Sequence, residues 1–441
     1  MAAKEYNDPH AATGGVREYQ AENNAADASM SASLNAARGL FTPLALIGIV
    51  GLLVAGALGG AGSTQASGEH LPAWGLVAQS YVYGYFFWLV LSLGCLGVQI
   101  LTQVIRPTWG IAILRVTEAG AKNLRYLFFL GLPLLAALWF GDSLGYHLYP
   151  WTSPAAAHDP ILVHKLPYLN QGAVTLRYLI YFAIWCWYNW ALSEGPNGTH
   201  AQDKSLDNAL GQWRVNVASP GFVIYVISIT FFFTDLVMSL DPHWFSTIYG
   251  VWWGAVSMGA AIALGTIFVT SFHAKRPYSD IVTPAVTKDL GNMMFAFTMI
   301  YGYFSVSQVL IYWSGNLPEY VSFYYARFKG PLAFLGFAIV LGQFFTPFLL
   351  LLSGKLKRTP SMLRAVAIWI LCVRAVDVWY QLMPFFGRTL TDFGAIAVDL
   401  AAWAFVGGVW VILFIGEYRK HAPLVLHDQR MQELKANEGH H

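Results

Sequence analysis

An all-α, polytopic membrane protein is the fold class this 441-residue sequence predicts, and three features predict it. Apolar residues make up 56% of the chain and aromatic ones 16%, against only 11% charged, too little polar surface to cover a soluble globule. Ten apolar runs approach the length of about 20 residues that crosses a bilayer as a helix. Lys and Arg collect at the ends of those runs in alternation, so the formal net charge of +2 marks no basic patch and no nucleic-acid partner.

The runs fall at Leu40–Gly60, Leu76–Ile105, Leu124–Tyr146, Val174–Leu192, Gly221–Leu240, Phe245–Phe272, Leu290–Trp313, Leu332–Leu352, Met362–Phe385 and Ala395–Gly416. Before them, residues 1–38 are polar and rich in Ala, Asn, Glu and Asp, without the pattern of a signal peptide, and are expected to be a retained, disordered or partner-bound arm. Residues 39–416 would form the membrane domain and 417–441 a short C-terminal tail. With the N-terminus placed in the cytoplasm, the segments on that side hold 20 of the 26 basic residues, whereas the other side holds only Lys165, Arg327, Lys329 and Arg388. Both termini are therefore expected to be cytoplasmic. Arg177 and Arg374 fall inside expected spans.

Two outward loops stand out. The first, from His147 to Gln171, contains four prolines and three histidines, and is expected to be irregular and packed on the membrane surface. Spacings of eleven and six residues between His147, His158 and His164 match no regular metal-ligand pair, so interfacial histidines are the expectation. The second, from Ser314 to Lys329, has the tyrosines and arginine of an element lying along the interface. Cys95, Cys186 and Cys372 sit singly in apolar runs, with no CxxC or CxxCH spacing for a disulfide framework, an iron–sulfur cluster or a c-type haem. Every histidine falls in a loop, a tail or a last helical turn, which argues against a b-type haem held between helices.

The ionisable groups inside the spans are the candidates for chemistry, because a charge in hydrocarbon is costly unless it meets a partner, water or the bundle interior. Asp235 opens the stretch TDLVMSLDPHWFSTIYG from Thr234 to Gly250, where Asp241, Pro242 and His243 break two helices. Asp241 and Pro242 also suit a plain helix stop and cap. Asp235, Asp241 and His243 are expected to form a proton-exchanging cluster. Asp142 and Asp399, like Asp235, lack an evident partner and are expected to exchange protons near neutrality. Arg374 and Asp377, three residues apart with Gln381 a turn beyond, share one helical face and are expected to pair.

Three separated segments carry a resemblance. They are the helix-break stretch just quoted; KDLGNMMFAFTMIYGYFSVSQVLIYWSGNLPEY from Lys288 to Tyr320; and RAVDVWYQLMPFF from Arg374 to Phe386, followed by DFGAIAVDLAAW. Together they resemble the NrfD/polysulfide-reductase family of membrane anchors, and within it the ActF-type subunits of bacterial alternative complex III. The resemblance implies ten transmembrane helices in a bacterial inner membrane, arranged as two central four-helix bundles with an outer pair. It implies a related NrfD-like membrane subunit, an iron–sulfur protein and c-type cytochromes as partners, with a terminal oxidase as one acceptor. Haem c and iron–sulfur clusters would belong to those partners, and this chain would bind none of its own, while supporting quinol oxidation through a proton path or a quinone pocket. The family's polar positions fall on Asp235, Asp241 and His243, and on Arg374 and Asp377. Two other readings stay open: a purely structural anchor for redox partners, and a secondary transporter, for which interruptions such as Gly131–Pro133 and Thr346–Pro347 are not obviously paired between two halves.

Overall fold

The computed structural model describes residues 9–57, 72–202, 208–275 and 277–424. Among these the only regular structure is helical: α1 (Pro9–Ala57), α2 (Ala73–Ile105), α3 (Thr108–Lys122), α4 (Leu124–Leu130), α5 (Leu132–Trp139), α6 (Gly141–Leu144), α7 (Pro160–Lys165), α8 (Gln171–Ser193) and α9 (Thr199–Gln202). They are followed by α10 (Asn208–Leu236), α11 (Tyr249–Ser271), α12 (Pro284–Gly315), α13 (Pro318–Arg327), α14 (Gly330–Ile339), α15 (Thr346–Leu352), α16 (Gly354–Arg358), α17 (Pro360–Leu382) and α18 (Phe393–Tyr418). Eight helical stretches are long and apolar enough to cross a bilayer, so the chain is a multi-pass, all-α membrane protein. Two further expected spans appear as α8 and α17, helices of 23 residues whose length reaches about 34 Å at the helical rise. Neither is among those eight, and each carries charge within it, Arg177 in α8 and Arg364, Arg374 and Asp377 in α17.

Packing follows from which helices are apolar all round. α2 is buried along nearly its whole length and touches α3, α10, α11, α18 and the edge of α1. It crosses α11 so closely that a Cβ at Gly94 would lie 1.7 Å from the Ser257 carbonyl oxygen, and only glycine fits there. On one side of this crossing α3 to α5, α8 and α10 complete a four-helix group with α2; on the other, α12, α14 with α15, and α17 gather on α11. α1 lies along α18, and these two form the outer pair.

Three expectations about boundaries need correction. The polar N-terminal arm is helical from Pro9 and runs without a break into the first span; residues 1–8 and 58–71 lie outside the described residues, as do 425–441. At the other end α18 extends through Glu417, which is buried and not part of a tail. The third span begins at Thr108 and ends at Trp139, well before Tyr146. Arg115, Glu118 and Lys122, which look like loop charges, are inside this helix because they are paired: Arg115 Nη1 lies 2.9 Å from Glu118 Oε2, and Lys122 meets Glu194 and Glu417. Paired charges remove the penalty that a hydropathy window assigns to each separately.

The same span is broken at Gly131, because Pro133 has no N–H to donate and its ring crowds the preceding turn. Three tyrosines serve the carbonyls at the break: Tyr81 donates to Leu130 (2.6 Å), Tyr85 to Leu127 (3.2 Å) and Tyr178 to Phe128 (2.8 Å). A side chain at 131 would collide with two of those hydroxyls.

Candidate functional site

The second helix group holds a cavity of about 630 Å³ between α12, α13, α14 and α17. Its walls are mostly aromatic and aliphatic, and its outer rim is made by Val306, Leu310, Trp313 and Phe337, all largely exposed on the outside of the bundle. Its inner end meets Asp377, Gln381 and Tyr301. The cavity thus opens sideways through apolar side chains and closes on a carboxylate.

Helical spacing puts Arg374 and Asp377 on one face of α17, as the sequence predicts, and the structure pairs them at 2.5 Å (Nη1 to Oδ2). Both are buried, at 4% and 1% exposure. The Arg374 guanidinium sits 4.5 Å above the Tyr301 ring, a favourable contact for a desolvated cation. Gln343 completes its surroundings. With its amide turned so that both ends are satisfied, Gln343 accepts from Arg374 Nη2 at 2.6 Å and donates to the Ile370 carbonyl at 3.2 Å. Gln343 gets there because Val340–Phe345 is a turn of π-helix between α14 and α15, a widening that recurs at functional positions. Pro347 explains it: lacking an N–H, it cannot close the α-type bond to the Gln343 carbonyl. The loosened carbonyls are used by side chains instead, Gly342 by Trp369 Nε1 (2.8 Å) and Leu341 by Thr346 Oγ1 (2.9 Å).

α13, expected to lie along the interface, folds over the mouth of this cavity and contributes Arg327, which is 2% exposed. Its guanidinium stacks 3.5 Å over the Phe323 ring and donates to the carbonyls of Phe323, Tyr380 and Gln381. Burial lowers its pKa to about 10, which leaves it cationic at neutral pH.

The remaining candidates are held elsewhere and differently from expectation. Asp235 does have a partner: Arg177 Nε and Nη2 donate to its two oxygens at 2.7 and 3.1 Å, and Tyr181 Oη donates at 2.9 Å. The outward loop covers this pair, with the Tyr168 ring 3.9 Å from the Arg177 guanidinium. Asp241 and His243 turn away from it. Asp241 accepts from the His243 backbone N–H (3.3 Å), and His243 Nε2 lies 2.6 Å from Asp159 Oδ2, where the imidazole holds the Asp159 carboxyl below its usual range. The three residues therefore do not share one hydrogen-bonded cluster. They help clamp the outward loop, where Asp159 also caps α7 and Lys165 Nζ donates to the Pro242 carbonyl at 2.5 Å.

Asp399 is buried and fully engaged, accepting from Ser80 Oγ (2.6 Å) and Trp379 Nε1 (2.8 Å). Asp142, by contrast, is 78% exposed at the surface, 3.0 Å from His147. Among the described residues no group of three or more His, Cys, Asp or Glu side chains is placed to hold a metal ion. Of the seven acids and bases singled out from the sequence, then, only Asp377 faces the cavity, with Arg374 directly behind it.

Sequence reasoning passed over Gln308, Gln343 and Arg327 at this site. Amides raise little alarm in an apolar run, and Arg327 sits in a segment that looks like a loop. It also passed over the buried Arg115, Glu118, Lys122 and Glu417 group at the other end of the bundle, whose only signal was the three-residue spacing of Arg115 and Glu118.

No protein-family model matches this chain, and no curated protein matches it. The likeness to ActF-type subunits rests on the three quoted motifs alone.

Proposed function

We propose that this chain is a membrane subunit of a respiratory complex of the alternative complex III type, and that it takes a membrane quinol into the cavity beside Asp377. The observation that carries this reading is the cavity's shape and polarity. About 630 Å³ of mostly apolar space, entered between exposed apolar side chains and ending on a carboxylate, suits a long-chain lipid with a small polar ring at its head. A water-soluble solute would find no polar entrance.

Oxidation of a quinol removes two protons from its hydroxyls and two electrons from the ring. Asp377, paired with Arg374, accepts a hydrogen bond from one hydroxyl and takes its proton as the ring loses the first electron; the remaining hydroxyl, made acidic by that loss, gives the second proton to water. The electrons leave to an iron–sulfur or c-type haem partner and from there to a cytochrome c or an oxidase. In this reading both termini face the cytoplasm of a bacterial inner membrane, α8 and α17 complete ten spans, and the cavity opens in the outer half of the bilayer. Asp235 and Asp399, each locked between helices, support the assembly and do not handle the substrate.

Affinity purification of the tagged chain in mild detergent, followed by haem staining and a quinol–cytochrome c assay, tests this. Haem-bearing partners should come with it, and Asp377→Asn should lower turnover about 100-fold with the complex intact. A chain that purifies without haem protein, from cells that oxidise quinol equally well without it, would end the proposal; saturable solute uptake by vesicles holding the chain alone would point to a transporter.

A further inference from the structure

The cavity has a second polar end, which the chemistry at Asp377 leaves unused. Tyr249 Oη, from the first turn of α11, and Gln308 Nε2, from α12, belong to residues that line the cavity. These residues are 1% and 6% exposed; among the described residues Gln308 Nε2 has no hydrogen-bond partner, and Tyr249 Oη, with the donor-only indole of Trp253 beside it, has no acceptor for its own proton. A buried donor left unmatched bears the full cost of its desolvation. Two such donors at one cavity mark the place where a ligand supplies an acceptor. Nearby polar groups are already committed: Ser305 Oγ accepts from Trp252 Nε1 at 3.0 Å, and Arg327 is spent on backbone carbonyls.

Spacing along α12 says how far apart the two ends are. Tyr301, beside the Arg374–Asp377 pair, and Gln308 are separated by two helical turns, about 10 Å of rise. A ring with oxygens on opposite carbons, with a hydrogen bond at each, spans about 11 Å. A ligand with a single oxygen reaches only one end.

We propose that Tyr249 and Gln308 form the second arm of a two-point site for a para-quinol, donating to the ring oxygen opposite the hydroxyl that Asp377 holds; this rests on the quinol reading of the cavity. When the ring is oxidised that oxygen changes from a hydroxyl to a carbonyl, a better and purely accepting partner for two donors. The arm therefore favours the oxidised ring over the reduced one, and it selects for two oxygens in para relation.

Calorimetric titration of the purified full-length chain, with whatever partners remain bound, tests this without oxygen and with two probes: decylubiquinol, kept reduced by dithionite, and 4-decylphenol, which has one oxygen. The native chain should bind decylubiquinol at least about tenfold tighter than 4-decylphenol, the factor that one lost hydrogen bond removes. Gln308→Met and Tyr249→Phe should each weaken decylubiquinol about tenfold and leave 4-decylphenol, held through its hydroxyl at Asp377, within about twofold. Equal affinity of the native chain for the two probes would overturn the proposal without needing any variant. So would native decylubiquinol affinity in both variants while Asp377→Asn still weakens it, and that result would leave the quinol reading standing. Failure of the native chain to bind decylubiquinol saturably would remove both.

Discussion

Asp235 and Arg177 show how much of a membrane bundle is decided by single pairs. Asp235 is 1% exposed, whereas the Arg177 side chain keeps 20% of its surface. Removing the cation leaves a desolvated carboxylate with only the hydroxyls of Tyr181 and Tyr168 for company; removing the anion leaves a guanidinium that can lean toward water. Arg177→Gln should therefore cost more stability than Asp235→Asn, about 4 against about 2 kcal/mol, and the double variant should recover part of the loss. Thermal unfolding in detergent checks this, and equal losses in all three variants would mean the pair is not coupled. That Asp235 needed a partner was legible in the sequence, since a lone acid in an apolar run demands one. Its identity was not, because Arg177 lies 58 residues away and arrives through a loop of irregular path. Arg374 and Asp377 were legible as a pair because one helix fixes their distance, and no tertiary knowledge was needed.

Between residue and fold, the π-turn at Val340–Phe345 is the element that shapes the site. Gly342 and Pro347 signal an interruption in the sequence, but an interruption can bend, break or widen a helix, and the choice depends on whether Trp369 and Arg374 stand ready to use the freed groups. Gln343→Leu should leave Arg374 Nη2 without its acceptor, costing about 2 kcal/mol, while Gln343→Glu, which keeps that acceptor, should cost less. Comparative unfolding of the two variants decides it, and the reverse order would show that Gln343 merely fills space.

The segment after α18 is a second element with its own chemistry. His421 stacks on His200 with ring centroids 3.6 Å apart. Burial first, then His200, Lys122 and Arg115, lower its pKa to about 4, with Glu118 opposing them. Glu417 and Tyr418 border the same small space. Because the folded value lies below the 6.5 of the free group, the unfolded segment binds more protons in between. The contribution of His421 to holding the segment down is thus complete above pH 6.5 and lost as pH falls toward 4. Hydrogen exchange at residues 419–424 should be faster at pH 5 than at pH 7.5 in the native chain and much less pH-dependent in His421→Asn; a flat native profile would contradict the packing.

At the scale of the whole molecule, fold class was the most legible property, because the length and number of apolar runs depend on the bilayer and hardly at all on tertiary detail. Errors came where charges cancel. A window that sums hydropathy cannot see that Arg115 meets Glu118 or that Lys122 meets Glu417, and so it pushed the third span toward the outer face. The cavity was invisible for a different reason: its walls come from α11 to α17, and only the crossing of α12 over α17 leaves the space between them.

The rim of that cavity, Val306, Leu310, Trp313 and Phe337, has a consequence for how occupancy is controlled. A guest arriving through these side chains never leaves the oily phase, so its supply is governed by how many such molecules share a patch of leaflet and not by molarity in the buffer. Adding inert lipid or surfactant should empty the site by dilution even when the total amount of guest in the tube is unchanged.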